Sequence, residues 1–467
     1  MIKRRHKFSL IAAGLAVMTL LFFVNDYSLL SIEQTALVVA IGVDVEQSET
    51  EDKEPVYEVS VQIALPEGGG SGAEGTVSAR GATVSGALRL IGQSCGWYPK
   101  TSFCSLLLFG EEAAKAGVLG VLDNLLTSSK LQDAAKFAVC QGKARDMMES
   151  KTPLDEVPSF ALDKIFTASS RSISSVSPVT VKEFMERSLS ESRSAFAPYI
   201  CRVPSGEAGI SLREMPKIDG VAVNPPEGTT FFSPDSGETE GEDSASSSEK
   251  EGGASSSSGE QKENSSSGEK SGETGGGSDG ENSGQGGGEQ GAESETWVFD
   301  AGYTMLFTGG KATGLLEGRA SLLCGLLTSG SKPTNLPVYG VESDGKPQAF
   351  LLGVAKNEGS VRLKFSAGKP EILVKLTLFV EGEDESGKSE KLKAAGAPLP
   401  EAVVAAAKAQ QEEIARKTFA LLAETDCDLF ALKRELYRKH PGKFAAWKDD
   451  LLKAATISVS VTVRRMK

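Results

Sequence analysis

One adjacent pair of acidic residues follows a predicted buried strand and could do acid–base chemistry. Glu111 and Glu112 come directly after SFCSLLLF and Gly110, and two carboxylates with separate roles are the usual acid and base of many hydrolytic sites. Neighbouring residues of a helix do not share a face, so these two side chains should not converge on one substrate. Anions stabilise the first turn of a helix through its dipole. We therefore interpret both residues as stabilising a helix N-terminus.

Two other side chains have both a chemical and a structural interpretation. Asp44 ends a near-continuous apolar run that starts at Ile32, and it could be a ligand carboxylate or a polar residue where a strand ends. The second interpretation is favoured, because aspartate is a common turn residue. His440 stands before Pro441 with no partner motif for a general base, so it is expected to mark a helix end.

The short motifs of common catalytic and binding sites are absent from the sequence or stand in unsuitable surroundings. It has no H-E-x-x-H and no loop of EF-hand spacing. A pattern of Walker A type occurs at 382–389 with three acidic residues between its glycines, and a G-x-S-x-G pattern occurs at 276–280 inside the Ser/Gly-rich segment. Among the glycines that begin at 68–70 and 72, Gly70, Gly72 and Gly75 match G-x-G-x-x-G, but they lack the strand-then-helix setting of a dinucleotide site. We therefore predict no catalytic residues, no cofactor-binding residues and no metal ligands, and we do not expect an enzyme.

The cysteines form no C-x-x-C motif, which argues against a zinc site and against a thioredoxin-type site. Cysteine is among the most buried residue types, so buried thiols are the favoured interpretation. A disulfide stays open as the alternative for an exported chain. The closest pair in the sequence is Cys95 and Cys104, and the others are Cys140, Cys201, Cys324 and Cys427.

The N-terminus has the pattern of a membrane anchor or a secretory signal. A basic cluster at 3–7 precedes FSLIAAGLAVMTLLFFV, an uncharged run from Phe8 to Val24. No A-x-A cleavage pattern follows, so an uncleaved anchor is favoured over a cleaved signal, with the basic end in the cytoplasm and the body exported. The apolar residues expected to contact the membrane core are Phe8, Leu10, Ile11, Leu15, Leu20, Leu21, Phe22, Phe23 and Val24.

The negative charge of the chain is concentrated in one segment. Of a net charge of −13, a charge of −12 falls between Ser236 and Glu295, where 15 acidic residues face three lysines. Residues 233–295 are rich in Ser, Gly and Glu and contain no aromatic residue, so they cannot bury enough apolar surface to fold and are predicted to form a disordered tether. The rest of the chain is nearly neutral, which argues against nucleic acid as a partner.

The body of the chain mixes predicted helices and strands without a regular β-α-β order, which indicates an α+β fold. VYEVSVQIAL (56–65) alternates apolar and polar residues, as a half-buried strand does. Helices are predicted over 83–91 and from Glu111 to about Leu126. Ile372, Val374, Leu376, Leu378 and Val380 alternate on a long strand of a predicted antiparallel sheet, and an alanine-rich helix follows Pro400.

The last forty residues combine several local signals in a distinctive order. Asp428 is a good helix N-cap before Leu429, Leu432 and Leu436, which recur at helical spacing. Pro441 cannot continue that helix and precedes a short helix with a tryptophan. The chain then ends in a strand of strict alternation, with Ile457, Val459, Val461 and Val463 on one face.

This C-terminal order resembles one family, the C-subunit spore germination proteins, also called the Ger(x)C family. Other parts of the chain are similar to the same family. They are the opening hairpin that ends in Gly42 and Asp44, the G-E-E-x-A segment at 110–114, the P-L-x-x-V-P-S segment at 153–159, and the strand, turn and glycine-leucine segment at 301–327.

The resemblance implies a non-catalytic subunit of a nutrient germinant receptor on the spore inner membrane. Its implied partners are two integral membrane subunits, A and B, which with it couple nutrient sensing to germination. Members of the family are typically lipoproteins, but this chain has no cysteine before Cys95, so no lipidated cysteine is expected. The alternative is an exported, membrane-anchored ligand-binding protein or cell-wall enzyme.

We expect three mixed α/β domains with antiparallel sheets behind the N-terminal anchor helix. The boundaries expected from composition and resemblance are 1–31 for the basic N-region and anchor or signal, 32–204 for an N-terminal α+β domain, 205–232 with 296–340 for a second domain, 233–295 for the acidic tether, and 341–467 for a C-terminal α+β domain.

Overall fold

The structure is a computed structural model of the full chain. It describes residues 12–19, 35–46, 55–64, 75–150, 152–153, 157–168, 178–204, 221–224, 296–328, 334–343, 346–383 and 399–465. The acidic tether at 233–295 lies outside the described residues.

The larger sheet of the described residues has eleven strands in the order β3-β2-β1-β5-β6-β8-β10-β11-β9, with β4 beside β1 and β7 beside β6. Its strands are β1 (Thr35–Glu46), β2 (Val56–Ala64), β3 (Gly75–Gly81), β4 (Tyr98–Lys100), β5 (Leu106–Gly110), β6 (Lys136–Cys140), β7 (Val179–Thr180), β8 (Ser194–Pro204), β9 (Ala222–Asn224), β10 (Trp297–Thr308) and β11 (Lys311–Leu316).

Helices connect and cover these strands. They are α1 (Val84–Cys95), α2 (Glu111–Ala116), α3 (Leu119–Ser128), α4 (Ala144–Met148), α5 (Pro158–Ala168), α6 (Val181–Ser188) and α7 (Gly318–Thr328). The single helix predicted from Glu111 to about Leu126 is interrupted at Gly117, whose φ of 124° is outside the helical range.

The centre of the larger sheet is parallel, so the expectation of antiparallel sheets is wrong there. Strands β1, β5, β6 and β8 pair parallel in that order, and antiparallel strands flank them on both sides. Parallel neighbours need a crossover connection, and α2 with α3 provides it between β5 and β6. The mixed α/β character that the sequence predicted is observed.

Both faces of the sheet centre are buried, as the apolar runs predict. Leu106 and Leu108 of β5 face the cluster under α4 and α5, whereas Leu107 and Phe109 face the larger cluster under α1, α3 and α6. All four are fully buried. A strand buried on both faces requires such a continuous apolar sequence.

The larger sheet extends across the boundary expected between the first and second domains. Strand β10 pairs antiparallel with β8 from Trp297 opposite Pro204 to Thr308 opposite Ser194. Strand β11 then continues the same sheet. The segments on the two sides of the boundary therefore share one hydrogen-bonded sheet, while the division of the chain into domains stays a prediction.

The second sheet of the described residues has four strands in chain order: β12 (Thr334–Ser343), β13 (Lys346–Ser366), β14 (Lys369–Glu383) and β15 (Thr456–Arg465). The alternating residues of β14 named above are buried, and Lys375 between them is exposed, so one face is covered as predicted. The pairing of β14 with β15 is parallel and again departs from an antiparallel sheet.

The C-terminal helices cover this sheet: α8 (Glu401–Glu424), α9 (Leu432–Lys439), α10 (Pro441–Trp447) and α11 (Leu451–Ala454). Pro441 is the first residue of α10. A backbone N–H at this position has no acceptor within the helix, so proline, which lacks this group, is tolerated there. The helix predicted to start after Asp428 begins only at Leu432, because Ala431 takes a left-handed conformation with a φ of 56°. Leu429 therefore precedes the helix, although it is buried.

The N-terminal apolar run is described only in part. Residues 12–19 are helical and exposed, and the other predicted anchor residues, apart from Leu15, lie outside the described ranges. Among the described residues no helix is both long and apolar enough to cross a membrane.

Close packing of β13 against α7 gives the first testable prediction. A Cβ added at Gly359 would lie 2.6 Å from the Leu326 carbonyl oxygen and 2.7 Å from the Leu327 Cα, both backbone atoms that cannot rotate away. We expect Gly359→Ala to lower the free energy of unfolding by about 1–3 kcal/mol, measured by urea denaturation followed by circular dichroism.

Gly442→Ala is the matched control, since nothing lies within 4 Å of its added Cβ. Alanine favours a helix over glycine by about 1 kcal/mol, so this variant should be neutral or slightly more stable. Equal stabilities of the two variants would contradict the close packing.

Candidate functional site

Asp44 lies at the carboxyl edge of the parallel strands, within β1, where it holds the start of α4. Its buried carboxylate accepts hydrogen bonds from the backbone N–H groups of Ala144 at 2.7 Å and Arg145 at 3.0 Å. Burial raises the pKa of Asp44, and these two hydrogen bonds oppose the rise. A Cβ on Gly110 would clash with this carboxylate, so β5 must come close here without a side chain. The structural interpretation of Asp44 fits this geometry, although the residue caps a helix and does not end a turn.

Glu58 was predicted to lie on the exposed face of a half-buried strand, and this is wrong. The side chain is only 3% exposed, and Ser60 and Gln62 on the same face of β2 are buried too. Helix α5 covers them, since the Ser159 N–H donates to Gln62 Oε1 at 3.1 Å. The alternation of polar residues gave the face correctly but could not reveal that a second layer covers it.

Three cations surround the buried Glu58 carboxylate. Arg145 Nη1 lies at 3.1 Å, Arg80 Nε at 3.6 Å and Lys143 Nζ at 3.7 Å. A buried charge without a partner is strongly destabilising, so these contacts are what permits Glu58 in this position. The three cations come from β3, α4 and the residue before α4, so no local sequence signal could have assembled them.

Glu111 and Glu112 point to different partners, as expected for adjacent residues in the first turn of α2. The Tyr199 hydroxyl donates to Glu111 Oε1 at 2.6 Å, and the Gly142 N–H donates to the same oxygen at 3.1 Å. Glu112 forms an ion pair with Lys115 one turn along. Burial and the neighbouring Glu111 raise the pKa of Tyr199 well above its usual value, so the phenol stays protonated and remains a donor. The glutamates therefore do not form an acid–base pair.

None of the six cysteines forms a disulfide, and all but Cys95 are buried. Burial raises the pKa of Cys104 and of Cys427 to about 12, so neither is a thiolate at neutral pH. The thiols therefore act as small apolar side chains, which is the interpretation that the sequence favoured.

His440 lies between α9 and α10, where its backbone N–H donates to the Leu436 carbonyl at 2.9 Å. Its ring packs edge-on against Phe365, with 5.0 Å between the ring centroids. This position agrees with the prediction of a helix end. Within the described ranges, no group of three or more His, Cys, Asp or Glu side chains is placed to hold a metal ion.

Asp428 is buried where the segment before β8 meets the start of α9. We call this group of contacts the Asp428 joint. The Asp428 carboxylate is 2% exposed and accepts from the Leu432 and Lys433 N–H groups, each at 2.7 Å. The Ser192 hydroxyl, just before β8, donates to it at 2.7 Å, and the Asp428 N–H donates to the Ser194 hydroxyl at 2.8 Å. Burial raises the pKa of Asp428, and the accepted hydrogen bonds oppose this.

Neighbouring contacts reinforce the Asp428 joint. Arg187 Nη1 of α6 donates to the Leu429 carbonyl at 3.4 Å, and Lys433 Nζ pairs with the Asp426 carboxylate at 2.9 Å. The sequence identified Asp428 as a helix-capping residue, which describes its bonds to the start of α9. It gave no sign of Ser192, which is 236 residues away.

The carboxylates of Asp44, Glu58, Glu111 and Asp428 bind backbone N–H groups, hydroxyls or cations of the protein itself. These contacts stabilise the fold. None of the geometries described places a free base beside an oriented nucleophile. The site that the described residues define best is a buried junction between the start of β8 and the start of α9.

Two sequence models of spore germination protein domains match the chain. The spore germination protein N-terminal domain matches residues 30–201, and the spore germination B3/GerAC-like C-terminal domain matches residues 302–466. The matches occur in the order of the family and cover both the larger sheet and the second sheet. The chain belongs to the Ger(x)C family of spore germination proteins.

Two curated relatives come from Bacillus subtilis strain 168. The putative spore germination protein YfkR is 28% identical over 204 residues, which cover 41% of this chain and 50% of the relative. The spore germination protein KC is 24% identical over 209 residues, which cover 42% of this chain and 50% of the relative. The chain thus spans about half the length of the curated relatives it matches.

One solved structure, the crystal structure of the GerBC protein, aligns with a TM-score of 0.45 and 11% sequence identity. The alignment covers 93% of this chain and 99% of that chain.

The Asp428 joint gives the second prediction. Removing its carboxylate leaves two backbone N–H groups and a hydroxyl buried without an acceptor, so we expect Asp428→Ala to lower the free energy of unfolding by about 3 kcal/mol or more. Ser192→Ala removes a single donor and should cost about 1 kcal/mol. Denaturation of both variants and of the double variant measures the coupling between the two residues. Strict additivity would show that Ser192 and Asp428 do not interact.

Glu317, between β11 and α7, gives the third prediction. Burial raises its pKa to about 7, although Arg319 and Lys417 oppose the rise. A raised pKa in the folded state stabilises the fold below the unfolded value near 4.5, and this stabilisation is lost as the pH rises through about 7. The loss is at most about 3 kcal/mol.

We therefore expect Glu317→Gln to flatten the fall in melting temperature between about pH 5 and pH 7. The exposed Glu358, paired with Lys356, provides the control Glu358→Gln, which should leave that slope unchanged. A slope that is the same in Glu317→Gln and in the unaltered chain would exclude Glu317 as its source.

Proposed function

We propose that this chain is the non-catalytic C subunit of a nutrient germinant receptor of spores. It assembles with two integral membrane subunits, A and B, and couples nutrient sensing by the receptor to germination. The observation that carries the proposal is the ordered match to both domains of the Ger(x)C family, over 30–201 and 302–466. The relatives YfkR and KC are named as spore germination proteins, which supports the same role.

The absence of enzymatic chemistry is part of this proposal. The carboxylates at the carboxyl edge of the larger sheet and in the Asp428 joint are engaged with structural donors. A near-neutral body suits docking onto protein partners, because interfaces resemble the ordinary protein surface in polarity. The Asp428 joint supports a role in coupling, since it ties the start of β8 to the start of α9.

The membrane attachment is also proposed. The uncharged run from Phe8 to Val24 is the anchor, and the body stands on the outer face of the inner spore membrane. The support is the basic cluster before this run, which by the positive-inside rule stays in the cytoplasm. The segment 233–295 is proposed to act as a soluble spacer between 205–232 and 296–340.

The fourth prediction tests assembly and anchoring together. A tagged full-length chain, extracted from spores in mild detergent, should co-purify with two multi-span membrane proteins. Leu15→Arg combined with Leu20→Arg should shift the chain to the aqueous fraction after alkaline carbonate extraction, because each arginine at the centre of a membrane helix costs about 3 kcal/mol. Leu15→Ile with Leu20→Ile is the matched apolar control and should stay in the membrane fraction.

The outcomes separate the two parts of the proposal and its rival. A chain that stays in the membrane but is recovered without multi-span partners would contradict assembly. It would favour the alternative, an exported membrane-anchored ligand-binding protein or cell-wall enzyme. An unaltered chain in the aqueous fraction would contradict the anchor, and mass spectrometry of the N-terminal peptide would show whether this segment had been cleaved.

A further inference from the structure

Aromatic and apolar side chains are exposed at the amino end of β1, next to β4. Strand β1 pairs parallel with β4, with Thr35 opposite Tyr98 and Leu37 opposite Lys100. Side chains of paired residues lie on the same face of a sheet, and alternate residues of a strand share a face. Leu37, Tyr98 and Lys100 therefore lie together, and Lys100 Nζ is 5.5 Å from the centre of the Phe103 ring. Trp97 directly precedes Tyr98 in the chain. We call Leu37, Trp97, Tyr98, Lys100 and Phe103 the aromatic edge.

The aromatic edge is unusually open to solvent for its composition. Tyr98 is 57% exposed, Phe103 is 54% exposed, and Leu37 and Trp97 are each 41% exposed. A single exposed apolar side chain is ordinary, but a group of neighbouring ones marks a surface that contacts a partner or a membrane. Two of the four are tryptophan and tyrosine, which concentrate at membrane–water interfaces because one end of the ring is apolar and the other is polar.

Cations lie around the aromatic edge. Lys130 is exposed and follows Ser129, whose carbonyl accepts a hydrogen bond from the Thr101 hydroxyl between Lys100 and Phe103. Arg89 is exposed on α1, and α1 packs against β4 where Gly92 approaches Pro99. Each lysine or arginine near an anionic membrane surface contributes about 1 kcal/mol of attraction. Lys100 and Lys130 are therefore placed to meet lipid phosphates, while the exposed Asp133, next to the Gln132 whose side chain donates to the Ser102 carbonyl, offsets part of this charge.

The position of the aromatic edge in the chain connects it with the proposed anchor. The apolar run ends at Val24, and β1 begins at Thr35, which is paired with Tyr98. The intervening chain can span at most about 35 Å when fully extended. The aromatic edge thus lies beside the strand end that the chain connects to the proposed anchor.

We propose that the aromatic edge docks on the lipid headgroup region of an anionic bilayer, with its rings at headgroup depth and its cations against lipid phosphates. This inference rests on the proposed membrane anchoring and adds a second contact to it. Two contacts would restrict the orientation of the body more than a single attachment does. The carboxyl edge of the parallel strands, where Asp44 and Glu111 lie, then points away from the bilayer.

The fifth prediction uses Trp97 as a reporter in the full-length chain. The chain is reconstituted in vesicles of phosphatidylcholine and phosphatidylglycerol whose acyl chains carry bromine, a fluorescence quencher, near the headgroup. The other two tryptophans, Trp297 and Trp447, also fluoresce. The Trp97 signal is therefore obtained by subtracting the emission of the Trp97→Phe variant from that of the unaltered chain. We expect bromine to reduce the Trp97 signal by about half or more, since interfacial side chains sit within about 10 Å of the acyl boundary.

Charge substitutions test whether the edge itself makes the contact. Tyr98→Asp combined with Phe103→Asp should abolish the quenching of Trp97 and leave the chain attached to vesicles through its anchor. The control is Leu189→Asp, because Leu189 is 70% exposed after α6 and is not part of the edge. This variant should keep the quenching.

Flotation of the vesicles separates the possible failures. A chain that floats but shows an unquenched Trp97 overturns the lipid contact while leaving the anchor intact. A Trp97 that is unquenched by lipid and becomes shielded only when the multi-span subunits are added identifies a protein interface and also overturns the proposal. A chain that does not float contradicts the proposed anchoring and the lipid contact together.

Discussion

One buried carboxylate, that of Asp428, links the larger sheet to the helices that cover the second sheet. Asp428 is 2% exposed, so its carboxylate cannot depend on water for hydrogen bonds and requires donors from the surrounding protein. The Leu432 and Lys433 N–H groups come from α9, and the Ser192 hydroxyl comes from the segment before β8. Separating the two sides would leave this charge or its donors without partners. The hydrogen bonds therefore fix the relative position of the sheets more strictly than apolar packing alone, since apolar contacts are not directional.

The elements of the fold could be predicted where their signals are local. The alternation in β14 and β15 gave the buried face, because the side-chain period of a strand is two. The same pattern says nothing about the neighbouring strand or its direction, and the parallel pairing of β14 with β15 was not predicted. The pairing of β8 with β10 joins residues on either side of the acidic segment, and periodicity cannot report contacts at that distance in the chain.

The candidate site shows the same division between local and distant signals. Asp428 was identified as a capping residue because the helix after it is close in sequence, whereas its bond to Ser192 depends on how two sheets meet. Glu58 was placed on an exposed face because α4 and α5 had no recognisable signal of where they would pack. The divergence of Glu111 and Glu112 followed from helix geometry alone, and the structure confirms it.

The parallel centre of the larger sheet makes its two ends chemically different. At the carboxyl end, Asp44 and Glu111 accept hydrogen bonds from backbone N–H groups of Gly142 and of the start of α4, so the polar groups at this end are satisfied within the protein. At the amino end, Tyr98 and Phe103 meet no comparable cover and remain exposed. The two ends of the parallel strands therefore differ: polar groups are hydrogen-bonded within the protein at the carboxyl end, and aromatic rings are exposed at the amino end. Because the chain enters β1 at the open end, this is the end that the proposed anchor and the proposed lipid contact would share.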